Sequence, residues 1–584
     1  MKRFRCTVLF GLFATWVIAA APAFGQQNQP EDSTGRTDNR LVTANRHMVA
    51  AAHSDAVAAG QEMLRRGGSA ADAVIAVQLV LNLVEPQSSG IGGGAFLLFY
   101  DTTTKQTVAF DGRETAPIAA TPDLFLTPDG TPMRFGAAIV GGRSVGTPGT
   151  VALLARVFQE HGKLTWPELF APAIRLAQQG FIVGPRLARM LASERGQRLR
   201  TFTEARDYFY PGGEPLQAGT RKTNPAFANT LIAISERGPA AFYSGAIAED
   251  IVAAVRDAPG NPGRLSMADL ASYDVIRRDP VCHGYRSYRV CGMGPPSSGG
   301  LTVGLTLGML TGFDLPGMGP NDPQSWHLLA EASKLAFADR NQYMADSDFV
   351  MVPEAGLLHP EYIAKRATFI RRETSILPPV VHGLPTGVPA PERASDTQNG
   401  RPGTSHISIV DGFGNAVSMT TTIEGAFGSQ LMVRGFLLNN ELTDFSFVPS
   451  KAGQPVANRV EPRKRPRSSM APTLVFNADG SLRLVVGSPG GSRIIGYVAK
   501  TLVAVLDWNL DIQAAIDLGH VVNRNGATDF EAGTEAENFV PAFRALGHTT
   551  RVRDLNSGLH GIEIVDGKIR GGADPRREGI ARGD

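Results

Sequence analysis

The chain has 584 residues, 43 % of them hydrophobic and 19 % charged, with a formal net charge of +2 and three cysteines. This is ordinary globular composition, long enough for a large core in a few domains or one layered unit. The near-balanced charge gives no reason to expect nucleic acid as a partner, and 65 glycines with 39 prolines predict many turns.

Lys2, Arg3 and Arg5 precede an apolar run over residues 8 to 21 that ends in A-P-A-F-G-Q-Q. That order is a secretory signal peptide, residues 1 to 25, cut after Ala23 or Gly25. The run is too short to span a membrane well, so no stable membrane anchor is expected. Its removal takes the net charge from +2 to −1 and carries Cys6 away. Cys282 and Cys291 remain, in V-C-H-G-Y-R-S-Y-R-V-C-G. A two-residue turn at Arg286 and Ser287 would set them opposite each other within disulfide reach. An oxidising compartment favours the bond; two buried thiols are the alternative.

Residues 26 to 40 are polar and read as disordered. Small and apolar residues at helical spacing over 50 to 81, interrupted at Gly67 and Gly68, predict two packed helices. G-I-G-G-G-A at 90 to 95 formally matches a dinucleotide fingerprint, but a strand follows where that fingerprint needs a helix. Strands are expected over 96 to 100 and 107 to 110, the second leading into Arg113. Helices are expected over 151 to 161, 166 to 179 and 325 to 343, and a Pro- and Gly-rich connector over 376 to 403.

Farther on, F-L-L-N-N-E-L-T-D-F-S (436 to 446) reads as a strand running into polar residues. The basic end of the loop 447 to 467 reads as a solvated face. Strand 482 to 486 feeds G-S-P-G-G-S (487 to 492) and a helix over 492 to 506; such a loop either aims N–H groups at an anion or simply turns the chain. There is no H-E-x-x-H, Walker loop or cysteine cluster, so neither a metal nor a nucleotide cofactor is expected.

Between the connector and those elements, two alternating apolar runs, 406 to 410 and 415 to 419, flank Asp411 to Gly414 as a β-hairpin. Thr404 stands where the connector enters the first strand. A cut before Thr404 would give one residue a hydroxyl and an α-amine with a pKa of about 7.7 to 8.0. That amine can take the hydroxyl's proton, making one residue nucleophile and base. On its own, the stretch is explained more simply by a threonine that begins a strand.

Four blocks change that balance: T-S-H-I-S-I-V-D at 404, L-L-N-N-E-L-T-D-F-S at 437, K-R-P-R-S-S-M-A-P-T at 464 and G-S-P-G-G-S-R-I-I at 487. In this order, and with the chain from about 44 to 577, they resemble the γ-glutamyltransferase family. The resemblance implies an α/β (α+β) fold, the four-layer αββα sandwich of N-terminal-nucleophile hydrolases. It implies a precursor that cuts itself into a large subunit, 26 to 403, and a small one, 404 to 584. It implies a γ-glutamyl substrate such as glutathione, and water or an amino acid or peptide as acceptor.

Residue by residue, the resemblance makes Thr404 the nucleophile, Thr422 its hydroxyl partner, and Gly490 with Gly491 the oxyanion hole. Arg113, Ser468 and Ser469 match residues that grip the α-carboxylate, and Glu441 and Asp444 those that grip the α-amine. Such a head group needs both kinds of partner. The chain departs from many members in having Glu424 where they have asparagine, and it lacks a lid tyrosine between Asp444 and Ser468, which predicts a more open site. The expectation is a secreted, periplasmic, self-processing γ-glutamyl hydrolase or transpeptidase. A glutaryl or cephalosporin acylase, kept open by Glu424, and a non-maturing binding protein are the rivals.

Overall fold

Residues 96 to 100 have no polar alternation because both faces of their strand are buried: Leu97 and Phe99 pack into one core, Phe96, Leu98 and Tyr100 into another. A sheet apolar on both faces needs a layer against each. The structure, a computed structural model, describes residues 35–397 and 403–584, so the signal-peptide reading and part of the 376 to 403 connector lie outside the described residues.

Fourteen strands form the two main sheets: β1 (Val42–Ala44), β2 (Met48–Ala51), β3 (Gly94–Asp101), β4 (Gln106–Gly112), β5 (Ile276–Arg278), β6 (Val281–Tyr285), β7 (Tyr288–Gly292), β8 (Thr404–Val410), β9 (Ala416–Thr422), β10 (Thr473–Phe476), β11 (Leu482–Gly487), β12 (His560–Val565), β13 (Lys568–Ala573) and β14 (Ile580–Gly583). The first sheet runs β14-β2-β8-β9-β3-β4-β5 and the second β1-β13-β12-β11-β10-β7-β6. Helices α1 (Ser54–Arg65), α2 (Ala70–Val84), α3 (Thr150–His161) and α4 (Trp166–Gln179) share a core with the outer face of the first sheet. Helices α5 (Gly299–Leu310), α6 (Pro323–Tyr343) and α7 (Ile494–Leu506) pack with the second. The expected αββα sandwich is what forms.

Polar side chains stitch the sheets together. Ser408 Oγ donates to the His560 carbonyl at 3.0 Å and Ser418 Oγ to that of Val486 at 3.1 Å. His406 bridges Thr420 and Ser408 over Gly487, where a β-carbon would strike its ring. These serines and the histidine are fully buried, so each bond satisfies a group that would otherwise be costly.

Several expectations shift. The first helix begins at Ser54 because 48 to 51 is strand, and Ser69 with Asp72 forms a capping box that starts α2. The second hairpin strand continues to Thr422, and 436 to 446 is a two-residue strand followed by a 3-10 turn, Glu441–Asp444. α7 begins at Ile494, after a 3-10 turn. The basic loop end is not a solvated face: Lys464, Arg465 and Arg467 are buried beside Glu461, Asp111 and Asp396, because the run threads between the two halves of the chain. Nor are residues 36 to 39 loose; Thr37 and Asn39 bond to backbone carbonyls at 573 to 579. Cys282 and Cys291 face each other across the β6–β7 hairpin in a disulfide, with Arg286 at φ 55° in its turn.

The glycines that mimic a dinucleotide fingerprint serve close packing instead. A β-carbon on Gly92 would collide with the Leu437 carbonyl, one on Gly93 with that of Thr422, and one on Gly94 with the Glu114 carboxylate. Gly93→Ala is therefore expected to lower unfolding stability by about 1–3 kcal/mol, as overpacking against rigid backbone does. Urea denaturation checks this; an unchanged midpoint would refute it.

Candidate active site

The register of β8 and β9 builds the centre. Thr404 opens β8 opposite Thr422 at the end of β9, and Thr422 in turn pairs with Gly94 on β3. The two buried hydroxyls lie 3.2 Å apart. Thr422 Oγ1 donates to the Gly403 carbonyl at 2.8 Å and accepts the Glu424 N–H at 2.8 Å. Its one proton thus rests on Gly403, leaving a lone pair to accept from the Thr404 hydroxyl. Arg577 holds the other side of Thr404, donating to its carbonyl at 3.2 Å.

Arg113, Glu424, Glu441, Asp444, Ser468, Ser469 and Gly491 line one cavity with both threonines, enclosing about 20 Å³ of free space. Gly490 is not at its wall; its φ of 137° and that of Gly491, 60°, shape the turn that brings Gly491 there. Among the described residues, neither glycine N–H donates to a protein acceptor. None of residues 445 to 467 lines the cavity; Phe447 stacks on Phe125 with ring centroids 4.3 Å apart.

Arg113, at the end of β4, donates to Glu441 and, at 2.6 Å, to Asp444. Asn439 and Asn440, not anticipated as site residues, hold the acidic turn in place. Asn439 accepts the Glu441 and Gly146 N–H groups at 3.0 and 2.9 Å, and Asn440 donates to Glu424 at 2.6 Å. Only the polar run N-N-E-L-T-D signals them in the sequence. Glu424 is buried with φ 72° and faces the cavity, not solvent.

Three carboxylates therefore face one guanidinium, since Glu114 lies 4.0 Å from Arg113 as well, and Glu424 acts on Glu441 beside them. Burial would lower Arg113, but Glu441, Asp444 and Glu114 together hold it above the ordinary arginine value. Burial pushes Glu441 well up despite Arg113, and Glu114, Asp444 and Glu424 push it further. Burial raises Glu114 to about 7, against the pull of Arg113.

Elsewhere His327, Glu331 and His548 cluster as a metal site would, but they satisfy one another: the two rings are hydrogen-bonded at 2.8 Å, and the Lys334 ammonium sits 2.7 Å from Glu331. The cation of that cluster is the lysine.

The sequence pattern described as Gamma-glutamyltranspeptidase matches residues 56 to 583. The chain belongs to the gamma-glutamyltranspeptidase family. It is 35 % identical to the glutathione hydrolase proenzyme of Bacillus subtilis (strain 168), with 100 % of this chain and 99 % of that one covered. It is 32 % identical to the acylase ACY 1 proenzyme of Pseudomonas sp. (strain V22), over 93 % and 94 %. Among solved structures, the cephalosporin acylase of Bacillus halodurans superimposes with a TM-score of 0.82 at 25 % identity, over 95 % and 99 %. Likeness to this family and fold thus extends over hydrolases and acylases alike, and the polar lining of the site must separate them.

Glu114 binds its proton more tightly folded than unfolded, where the ordinary value is 4.5. Its contribution to stability is therefore full below that value and is lost as pH rises through about 7. Glu114→Gln should remove that loss, raising stability at pH 8 relative to wild type by up to about 3 kcal/mol while changing little at pH 4. Urea midpoints at the two pH values test this; equal shifts at both would contradict it.

Proposed function

We propose that the chain is a self-processing γ-glutamyl hydrolase or transpeptidase that cleaves γ-glutamyl amides such as glutathione. The observation that carries the reading is the Thr404–Thr422–Gly403 arrangement beside a cavity with one guanidinium, three serines and three acids on its wall. In maturation, Thr404 Oγ1 attacks the Gly403 carbonyl carbon, the Gly403–Thr404 C–N bond breaks and an ester forms. Water then hydrolyses the ester, freeing the Gly403 carboxylate and the Thr404 amine. The Thr422 hydroxyl, already on the Gly403 oxygen at 2.8 Å, is set to stabilise the developing oxyanion.

In turnover, the freed amine takes the Thr404 proton and the hydroxyl oxygen attacks the γ-carbonyl. The uncommitted Gly491 N–H, on the cavity wall, suits the oxyanion, with Gly490 shaping the turn that presents it. The leaving amine departs with a proton, and water or an amine acceptor then releases the glutamyl group. Arg113, Ser468 and Ser469 suit the α-carboxylate, and Glu441, Asp444 and Glu424 the α-ammonium. Glutaryl groups lack that ammonium, so the acid-rich wall favours the γ-glutamyl reading over the acylase. The N-terminal segment supports export to the periplasm, and no described helix is long and apolar enough to cross a membrane.

Intact mass of the purified protein should give two fragments meeting at Gly403 and Thr404, and Thr404→Ala a single chain. Thr422→Ala should slow cutting by at least about a hundredfold, the scale of losing an oxyanion donor. The cut protein should prefer a γ-glutamyl over a glutaryl anilide. The reverse preference would favour the acylase, and an uncut, folded wild-type chain would overturn the proposal.

A further inference from the structure

Arg340, on α6, is 2 % exposed, and its guanidinium has no carboxylate within ion-pair distance among the described residues. Its partners are neutral: Nε donates to Ser298 Oγ at 2.8 Å, Nη2 to Ser469 Oγ at 2.7 Å and Nη1 to Asn341 Oδ1 at 3.2 Å. Burying an unpaired cation is costly, and this one lies a single hydroxyl away from the cavity.

Hydrogen-bond direction says what that hydroxyl must do. A guanidinium can only donate, so Ser469 Oγ accepts from Arg340 and its own proton is left for the cavity. The neighbouring serine is set the same way: Ser468 Oγ accepts the Met470 N–H at 3.1 Å and its proton is likewise uncommitted. Ser298, the other partner of Arg340, sends its N–H and its hydroxyl to the Ser468 carbonyl at 2.9 and 2.7 Å. Arg340 thus braces the 468 to 470 strap directly and through Ser298, and both serines line the same cavity.

We propose that Arg340 is a positioning residue for substrate carboxylate: it fixes Ser469 as a hydrogen-bond donor and supplies a second buried positive charge, beyond Arg113, that an arriving carboxylate completes. Burial, and then the neighbouring Arg467, hold Arg340 well below the usual arginine value, with Asp396 and Asp444 pulling the other way, so a carboxylate at the serines would add to the counter-charge around it. The inference rests on the γ-glutamyl reading and adds how selection for the α-carboxylate is built.

The experiment uses the cut two-fragment enzyme, verified by intact mass, with Arg340→Gln, Arg340→Lys and Ser469→Ala. Each is assayed with a γ-glutamyl anilide and with a 4-aminobutyryl anilide, which keeps the ammonium and lacks the α-carboxylate. Arg340→Gln should raise KM for the γ-glutamyl compound by about tenfold or more, the loss of a charged hydrogen bond, with kcat within about threefold. Its kcat/KM for the 4-aminobutyryl compound should stay within about twofold, since no carboxylate is there to be lost. Arg340→Lys should recover part of the KM, and the Arg340→Gln/Ser469→Ala pair should lose less than the two single losses combined. Equal losses on both substrates, additive losses in the pair, or no change in KM would overturn the inference. If Arg340→Gln does not mature, the lysine variant and Ser469→Ala carry the same comparison. Wild type without γ-glutamyl preference would instead defeat the functional reading itself.

Discussion

The site depends on strand register. Three neighbouring strands place Thr404, Thr422 and Gly94 side by side, and one residue of slip in β8 or β9 would turn a threonine to the opposite face. That register is held from several directions. Asp411 accepts the Phe413 and Asn415 N–H groups in the hairpin loop and the Ala70 N–H at the start of α2. Ser408 and Ser418 anchor the same strands to the opposite sheet. The hairpin is thus pinned at its loop and along its face, and its open end is where the proposed chemistry sits.

Electrostatic imbalance is the second organising feature. Arg113 faces two acids, Glu441 and Asp444, and Glu424 and Glu114 crowd Glu441 further. A zwitterionic head group can enter this set without changing its net charge: its carboxylate meets the cation and its ammonium the acids. A purely anionic acyl group cannot, since it would strand the acids. On the proposed roles of these residues, selectivity for an amino acid head group would follow from charge pairing before any steric fit is considered.

Much of this was legible in the sequence. Strand alternation and the Gly-bounded hairpin located Thr404, and the block resemblance gathered residues that lie hundreds of positions apart into one cavity. What stayed hidden has a physical cause in each case. The basic run ending at Arg467 looks solvated by composition, because its partners Asp111 and Asp396 are distant in the chain. Asn439 and Asn440 carry no charge that would mark them, yet they orient the acidic turn. Arg340 lies inside an ordinary helical segment, and only the third dimension sets it against Ser469.

The strand order carries one more consequence. In the first sheet β8 and β9 lie between β2 and β3, and in the second β10 to β13 lie between β1 and β7, so strands from either side of Gly403 alternate across both sheets. A cut at that bond would leave two polypeptides woven through common sheets, each without a core of its own. Such a pair is assembled only once, as a single chain; after the cut, unfolding would be a one-way event, because separated pieces lose the tether that made every cross-strand encounter intramolecular. The enzyme's lifetime would then be set by how slowly it opens, not by how favourably it could refold.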